Sequence, residues 1–163
     1  MATRFNCSPL SAEFPTSNFP ALLYVNNRPV LAFDASTDET CYWTVIVPQG
    51  WTGTITLIIT YMMASAVSGT VGFQASVEAV SDGDATGLDA GTSFDTVNNS
   101  ASTTVPGTAG HIDQISITLT NNDSSAAADY LRISLNRDAD GSAITDSATG
   151  DAYVLGVEIR DGA

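Results

Sequence analysis

The sequence predicts an all-β domain, and three observations predict it. Apolar residues recur with a period of two in segment after segment from about residue 29 onward. Turn-forming pairs built on Gly, Pro, Asn and Asp separate those segments. No stretch shows the 3.6-residue periodicity of an amphipathic helix of useful length, although Ser124 to Asp129 has the composition of a single helical turn.

The alternation is explicit. Cys41, Trp43, Val45 and Val47 share one face of a strand. Ile55, Leu57, Ile59, Tyr61 and Met63 share a face opposite Thr54, Thr56 and Thr60. Val71, Phe73, Ala75, Val77 and Ala79 alternate with Thr70, Gly72, Gln74, Ser76 and Glu78. Ile115, Ile117 and Leu119 repeat the pattern, as do Leu131, Ile133 and Leu135. In the last segment Tyr153, Leu155, Val157 and Ile159 are expected on one face, with Val154, Gly156, Glu158 and Arg160 on the other. Weaker strands are expected at 30–35, 93–98 and 102–105. Strands with one apolar face bury it against a second sheet. About eight or nine strands is the count of a two-sheet antiparallel jelly-roll sandwich.

Residues 1–28 differ from the rest. Pro9, Pro15 and Pro20 exclude a long helix and weaken any central strand. Phe5, Phe14, Phe19, Leu22, Leu23 and Tyr24 are scattered there between polar residues. The segment reads as an extended N-terminal arm with apolar anchors, ahead of a sandwich domain at 29–163. No linker divides the remainder.

With 163 residues, 44% of them hydrophobic, the chain supports a sizeable core. Charged residues are 14%, below the usual quarter, so Ser, Thr, Asn and Asp supply the polar surface. Eighteen acidic residues oppose five basic ones, all Arg, for a net charge of -13. That balance argues against nucleic-acid binding and against an anionic membrane surface. No run approaches the roughly 18 apolar residues of a membrane-spanning helix. The N-terminus has no apolar run of a signal peptide, so synthesis in a reducing cytoplasm and free thiols at Cys7 and Cys41 are expected.

Several constellations bear on chemistry. His111 is the lone histidine and follows a turn; a Ser-His-Asp triad would need a base there, but no G-x-S-x-G elbow accompanies it. Glu78 and Glu158 fall on polar faces and read as solubilising charges rather than a hydrolytic pair. No phosphate-binding glycine loop is present. Asp82, Asp84 and Asp89 lie close together in one loop and are the weak candidates for a calcium ion, but ordinary turns use the same residues. Trp43 is expected inside the sandwich. Trp51 sits in a turn and is a candidate either for an interface or for a cover over the core's end. Enzymatic activity is not expected, and neither is a cofactor.

Four stretches carry a resemblance. They are Arg28 to Thr40 followed by an apolar strand ending at Pro48, then Gly107 to His111 with Asp129 to Asp138, and finally Asp151 to Ile159. Over about residues 28–161 the chain resembles jelly-roll virion proteins of tailed bacteriophages, most nearly their trimeric capsid decoration, or cement, proteins. The resemblance implies a homotrimer made in the host cytoplasm and seated on the outer capsid surface, where it clamps neighbouring major capsid protein subunits. Phe14, Phe19, Pro20, Leu22, Leu23, Tyr24 and Trp51 are the expected capsid or subunit contacts. The alternative is a carbohydrate- or receptor-binding sandwich of a head or tail fibre, working through Trp51 and the Asp-rich loops.

Overall fold

A computed structural model describes residues 2–52 and 54–161. The chain is all-β, and every strand pairing is antiparallel. The strands are β1 (Ala2–Cys7), β2 (Ala21–Val25), β3 (Arg28–Phe33), β4 (Glu39–Ile46), β5 (Ile55–Met63), β6 (Thr70–Val71), β7 (Phe73–Val80), β8 (Asn98–Asn99), β9 (Thr103–Thr104), β10 (Ile112–Leu119), β11 (Tyr130–Arg137) and β12 (Ala152–Asp161). One sheet has the order β10-β5-β12-β3-β2, and β1 also pairs with β12. The second has the order β4-β11-β7-β8, and β6 and β9 form a small separate ladder.

The two main sheets bury their apolar faces against each other. Leu57, Ile59 and Tyr61 from β5, Trp43 from β4, Val77 from β7 and Ile133 from β11 join one continuous core. Phe33 and Phe73 meet edge to face across it, with ring centroids 5.6 Å apart. The alternation read from the sequence accounts for β4, β5, β10 and β11, where the named apolar sets point inward.

Four expectations need correction. First, there are twelve strands among the described residues instead of eight or nine. Two of the additional strands lie in the N-terminal segment, and the run at 70–79 is cut in two. The cut falls at Gly72, where a Cβ would stand 2.6 Å from Ile144 Cγ2. The chain turns there to admit the Ile144 side chain.

Second, β12 changes face midway. Ala152 and Val154 are buried, and after a register shift between Val154 and Gly156 so are Val157 and Ile159. Leu155 is the extra residue of this bulge, so it and Tyr153 point outward. Strict alternation cannot continue through an inserted residue.

Third, Glu78 is not a surface charge. It is 2% exposed and its carboxylate accepts from the backbone N–H and the hydroxyl of Ser93. Fourth, 93–98 is not a strand but a segment that crosses the outer face of β7, and only Asn98–Asn99 pairs.

The N-terminal segment passes from one sheet to the other and back. β1 pairs with the second half of β12, while β3 pairs with its first half. Phe5 and Cys7 thereby turn toward the core. After a short 3-10 turn at Pro9–Ser11, Glu13 exchanges backbone hydrogen bonds of 2.8 and 2.9 Å with Tyr42 on the edge strand β4. Asn18 O accepts from Thr40 N nearby. An exposed sheet edge invites foreign strands, and these bridges occupy part of the β4 edge. β2 then returns to the first sheet through a hairpin with β3, whose turn residues Asn26 and Asn27 both have positive φ.

Charge clamps hold the ends. Asp161 is buried, accepts from Arg4 Nε and from Thr52 N, and its carboxyl is held below the usual range, chiefly by the Arg4 hydrogen bond. At the other end Arg137 is fully buried beneath the loop 138–151.

Both cysteines are buried and free. Burial pushes the Cys7 thiol up to about 12 and raises Cys41 well above its ordinary value, with the nearby Cys7 as the second cause. Only the thiolate attacks a disulfide reagent. The folded protein is therefore expected to leave both thiols unlabelled by a chromogenic disulfide at pH 8, and both should react once urea unfolds the chain. Prompt labelling of the native state would show that β1 does not hold Cys7 inside.

Candidate interaction surfaces

The expected contact residues of the N-terminal segment separate into two groups. Phe14 and Phe19 sit beside the β4 edge, 39% and 42% exposed, with ring centroids 5.5 Å apart. Leu22, Leu23 and Tyr24 lie on β2, the outermost strand of its sheet, and are 40%, 40% and 64% exposed. By the two-residue period Leu22 and Tyr24 face one side and Leu23 the other, so the strand shows apolar surface on both faces. Pro20, by contrast, is buried and offers no contact.

The sequence reading missed the ground next to this hairpin. On the outer face of the β5 sheet, Met62, Ile112, Leu155, Val25 and Arg28 line an open pocket of about 380 Å³. Ile112 is 66% exposed. A signal for it exists: Met62 and Ile112 are apolar but out of phase with the inward sets 55–63 and 115–119. Leu155 joins them only because of the bulge. Exposed apolar residues that gather like this mark interaction surfaces.

Trp51 is not an exposed platform. It is half-buried against the core, its Nε1 donates to Ser125 Oγ at 3.2 Å, and its ring lies 6.4 Å from Phe5. An indole with its N–H satisfied inside the chain acts as a cover over the sandwich end.

The calcium candidates do not converge. Asp82, Asp84 and Asp89 are exposed, and Asp84 turns its carboxylate back onto the N–H and hydroxyl of its neighbour Thr86. Among the described residues, the acidic side chains whose oxygens lie within 4.8 Å of one another are Asp38, Asp138 and Asp140. Their oxygens already serve local structure. Asp138 accepts from Ser142 Oγ, Ala143 N and Ile144 N; Asp140 accepts from Ser142 N; Asp38 accepts from Asp140 N. Ser142 is the first cause that lowers the Asp140 carboxyl below its usual range.

The glutamates are dispersed into separate contacts. Glu78 holds Ser93, Glu39 accepts from Asp34 N at 2.8 Å, Glu158 bonds Arg160, and Glu13 stands 3.4 Å from Arg132 Nε. Desolvation raises the Glu39 carboxyl. His111 is exposed in the turn before β10. No helix among the described residues is long and apolar enough to cross a membrane.

No protein-family model matches this sequence, and no curated protein is significantly similar to it.

Proposed function

We propose that this protein is a non-enzymatic virion component, a homotrimeric capsid decoration protein that binds the outer surface of a tailed-phage capsid and clamps neighbouring major capsid protein subunits. The observation that carries the reading is the β2–β3 hairpin. Leu22, Leu23 and Tyr24 are exposed on an edge strand with both faces open, and one of those faces runs on to Met62, Ile112 and Leu155. Such surface in a chain of net charge -13 is suited to a specific protein contact and ill suited to nucleic acid.

The strand order supports a jelly roll behind an N-terminal arm. β3, β12, β5 and β10 lie side by side in one sheet, and β4, β11, β7 and β8 in the other. Between β3 and β5, and again from β10 to β12, the chain alternates between sheets, as two interleaved Greek keys require. The apolar arm residues Phe14 and Phe19 extend the contact surface along the β4 edge of the second sheet, from which the chain passes directly into β2. Threefold symmetry would multiply a modest contact per subunit through avidity.

The test is decoration of empty shells assembled from the major capsid protein. The wild-type chain is expected to co-sediment with shells. The double variant Leu23→Glu/Tyr24→Glu is expected to bind at least about tenfold more weakly, because it places two charges at a desolvated contact. Its unfolding midpoint should match the wild type, since both positions are exposed. Failure of the wild type to bind shells would overturn the capsid role, and full binding by the variant would remove the hairpin from it.

A further inference from the structure

The outer face of the β4-β11-β7 sheet carries a different kind of surface. Register places Thr40, Asn136 and Gln74 in one cross-strand row, Tyr42, Ser134 and Ser76 in the next, and Thr44, Arg132 and Glu78 in the third. The segment 93–97 roofs the third row. Ser93 bonds Glu78, Asp95 N donates to Val77 O at 2.8 Å, and Phe94 stacks on Tyr42 with ring centroids 5.6 Å apart. Arg132 lies 4.2 Å over the Tyr42 ring. Beyond Tyr42, which Phe94 covers, the first two rows line an open groove of about 170 Å³, with Val97 at its rim.

Its lining is uncharged and rich in hydroxyls and carboxamides: Thr40, Gln74, Ser76, Ser134 and Asn136. Asn136 Nδ2 donates to Thr40 Oγ1 at 3.1 Å, yet its Oδ1 is buried with no hydrogen-bond partner. Thr44 Oγ1 and Arg132 Nε, on the same face, are buried without one too, although Arg132 Nε stands 3.4 Å from Glu13. All the unsatisfied buried side-chain atoms found among the described residues therefore lie on this one face. Thr44 and Arg132 belong to the roofed row, whereas Asn136 lines the open groove, and an orphaned carboxamide there is suited to a polar ligand.

We propose that this groove binds a neutral saccharide, one pyranose unit of a larger glycan. Sugar hydroxyls donate and accept at adjacent carbons, and the carboxamides and hydroxyls here do the same. An anionic ligand would need a cation, but no cationic side chain lines the groove, and the whole chain is strongly negative. An extended peptide pairs with a sheet edge, whereas this groove lies on a sheet face. Apart from Val97 and Ala75 the lining has no apolar side chain to seat a hydrophobic ligand. The groove is independent of the hairpin surface and of the proposed capsid role.

Saturation-transfer NMR followed by calorimetry tests it, with glucose, galactose, mannose, N-acetylglucosamine and their disaccharides at millimolar concentration, and glucuronate and inorganic phosphate as anionic comparators. Binding of at least one neutral sugar is expected. Asn136→Ala should weaken it about tenfold, and Val97→Trp, at an exposed rim position that leaves the fold intact, should abolish it. Leu23→Glu/Tyr24→Glu should leave it unchanged. Absence of neutral-sugar binding, equal binding of the anionic comparators, or undiminished binding by Val97→Trp would each overturn the proposal.

Discussion

Replacing Arg137 with methionine is expected to lower the stability of the fold by about 3–5 kcal/mol, the cost of breaking a buried ion pair from one side. Arg137 is 0% exposed. Its Nε and one terminal nitrogen grip Asp146 at 2.9 Å each, and its terminal nitrogens also donate to the carbonyls of Phe33, Gly150 and Ala148 at 3.3, 2.9 and 3.0 Å. Methionine fills much of the volume but leaves the buried Asp146 carboxylate without its countercharge, with only Gly72 N still donating to it, and takes a donor from each of three carbonyls. These groups anchor the loop 138–151, which reaches across to Thr70 through Ser147 N and Ala148 N. Urea titration gives the loss directly. Adding Asp146→Leu to the same chain should recover part of it, because the orphaned charge disappears. A loss below about 1 kcal/mol for Arg137→Met would mean that the clasp does not stabilise the fold as described.

Trp43→Ala carries the second large effect, about 3–5 kcal/mol from the cavity it opens in the core. The ring is 2% exposed in the inner face of β4, and its Nε1 donates to Ser8 O at 3.0 Å. That hydrogen bond ties the core to the chain immediately after β1. Trp43→Phe separates the two contributions. It keeps an aromatic ring and removes the indole N–H, while Ser8 O still accepts from Ser11 N and Ser11 Oγ, so the hydrogen-bond share of the loss is about 0.5–1.5 kcal/mol. The phenylalanine variant should also expose the neighbouring Cys7 to thiol reagents faster than wild type. Unchanged labelling of Cys7 in that variant would show that the indole N–H does not hold β1 in place.

Most of the sandwich could be read from residue order alone because a one-residue slip in a strand exchanges its buried and exposed faces. The runs at Cys41, Ile55, Ile115 and Leu131 obey that constraint without interruption. The pattern failed where the backbone departs from regular pleating. The bulge at Leu155 reverses the faces of β12 within a run that still alternates on paper. Gly72 ends β6 because Ile144, far along the chain, occupies the space of a side chain. Glu78 looked like a solvated charge because nothing in its own strand announces that Ser93 will cover it. β1 and β2 went unread because the prolines between them suggested an irregular arm, although Phe5 and Cys7 do alternate inward.

The candidate surfaces divide in the same way. Leu22, Leu23 and Tyr24 were legible as apolar residues outside the core, since three large apolar residues in a proline-bounded segment have no core of their own, and they are exposed on β2. Met62 and Ile112 carried a signal, being apolar and out of phase, but their meeting depends on strand register. The groove at Asn136 was beyond sequence reasoning. Thr40, Gln74 and Ser134 each look like ordinary outward polar positions, and only the pairing of β4, β11 and β7 assembles them. The calcium candidates Asp82, Asp84 and Asp89 were misleading because proximity along the chain says nothing of where a carboxylate points.

The most direct test of the proposed homotrimer is the absolute mass in solution, measured by light scattering coupled to size exclusion across a range of concentrations. A particle of three times the 16.9 kDa chain mass is expected for the wild type. A wild-type chain that stays at 16.9 kDa at every concentration would contradict it.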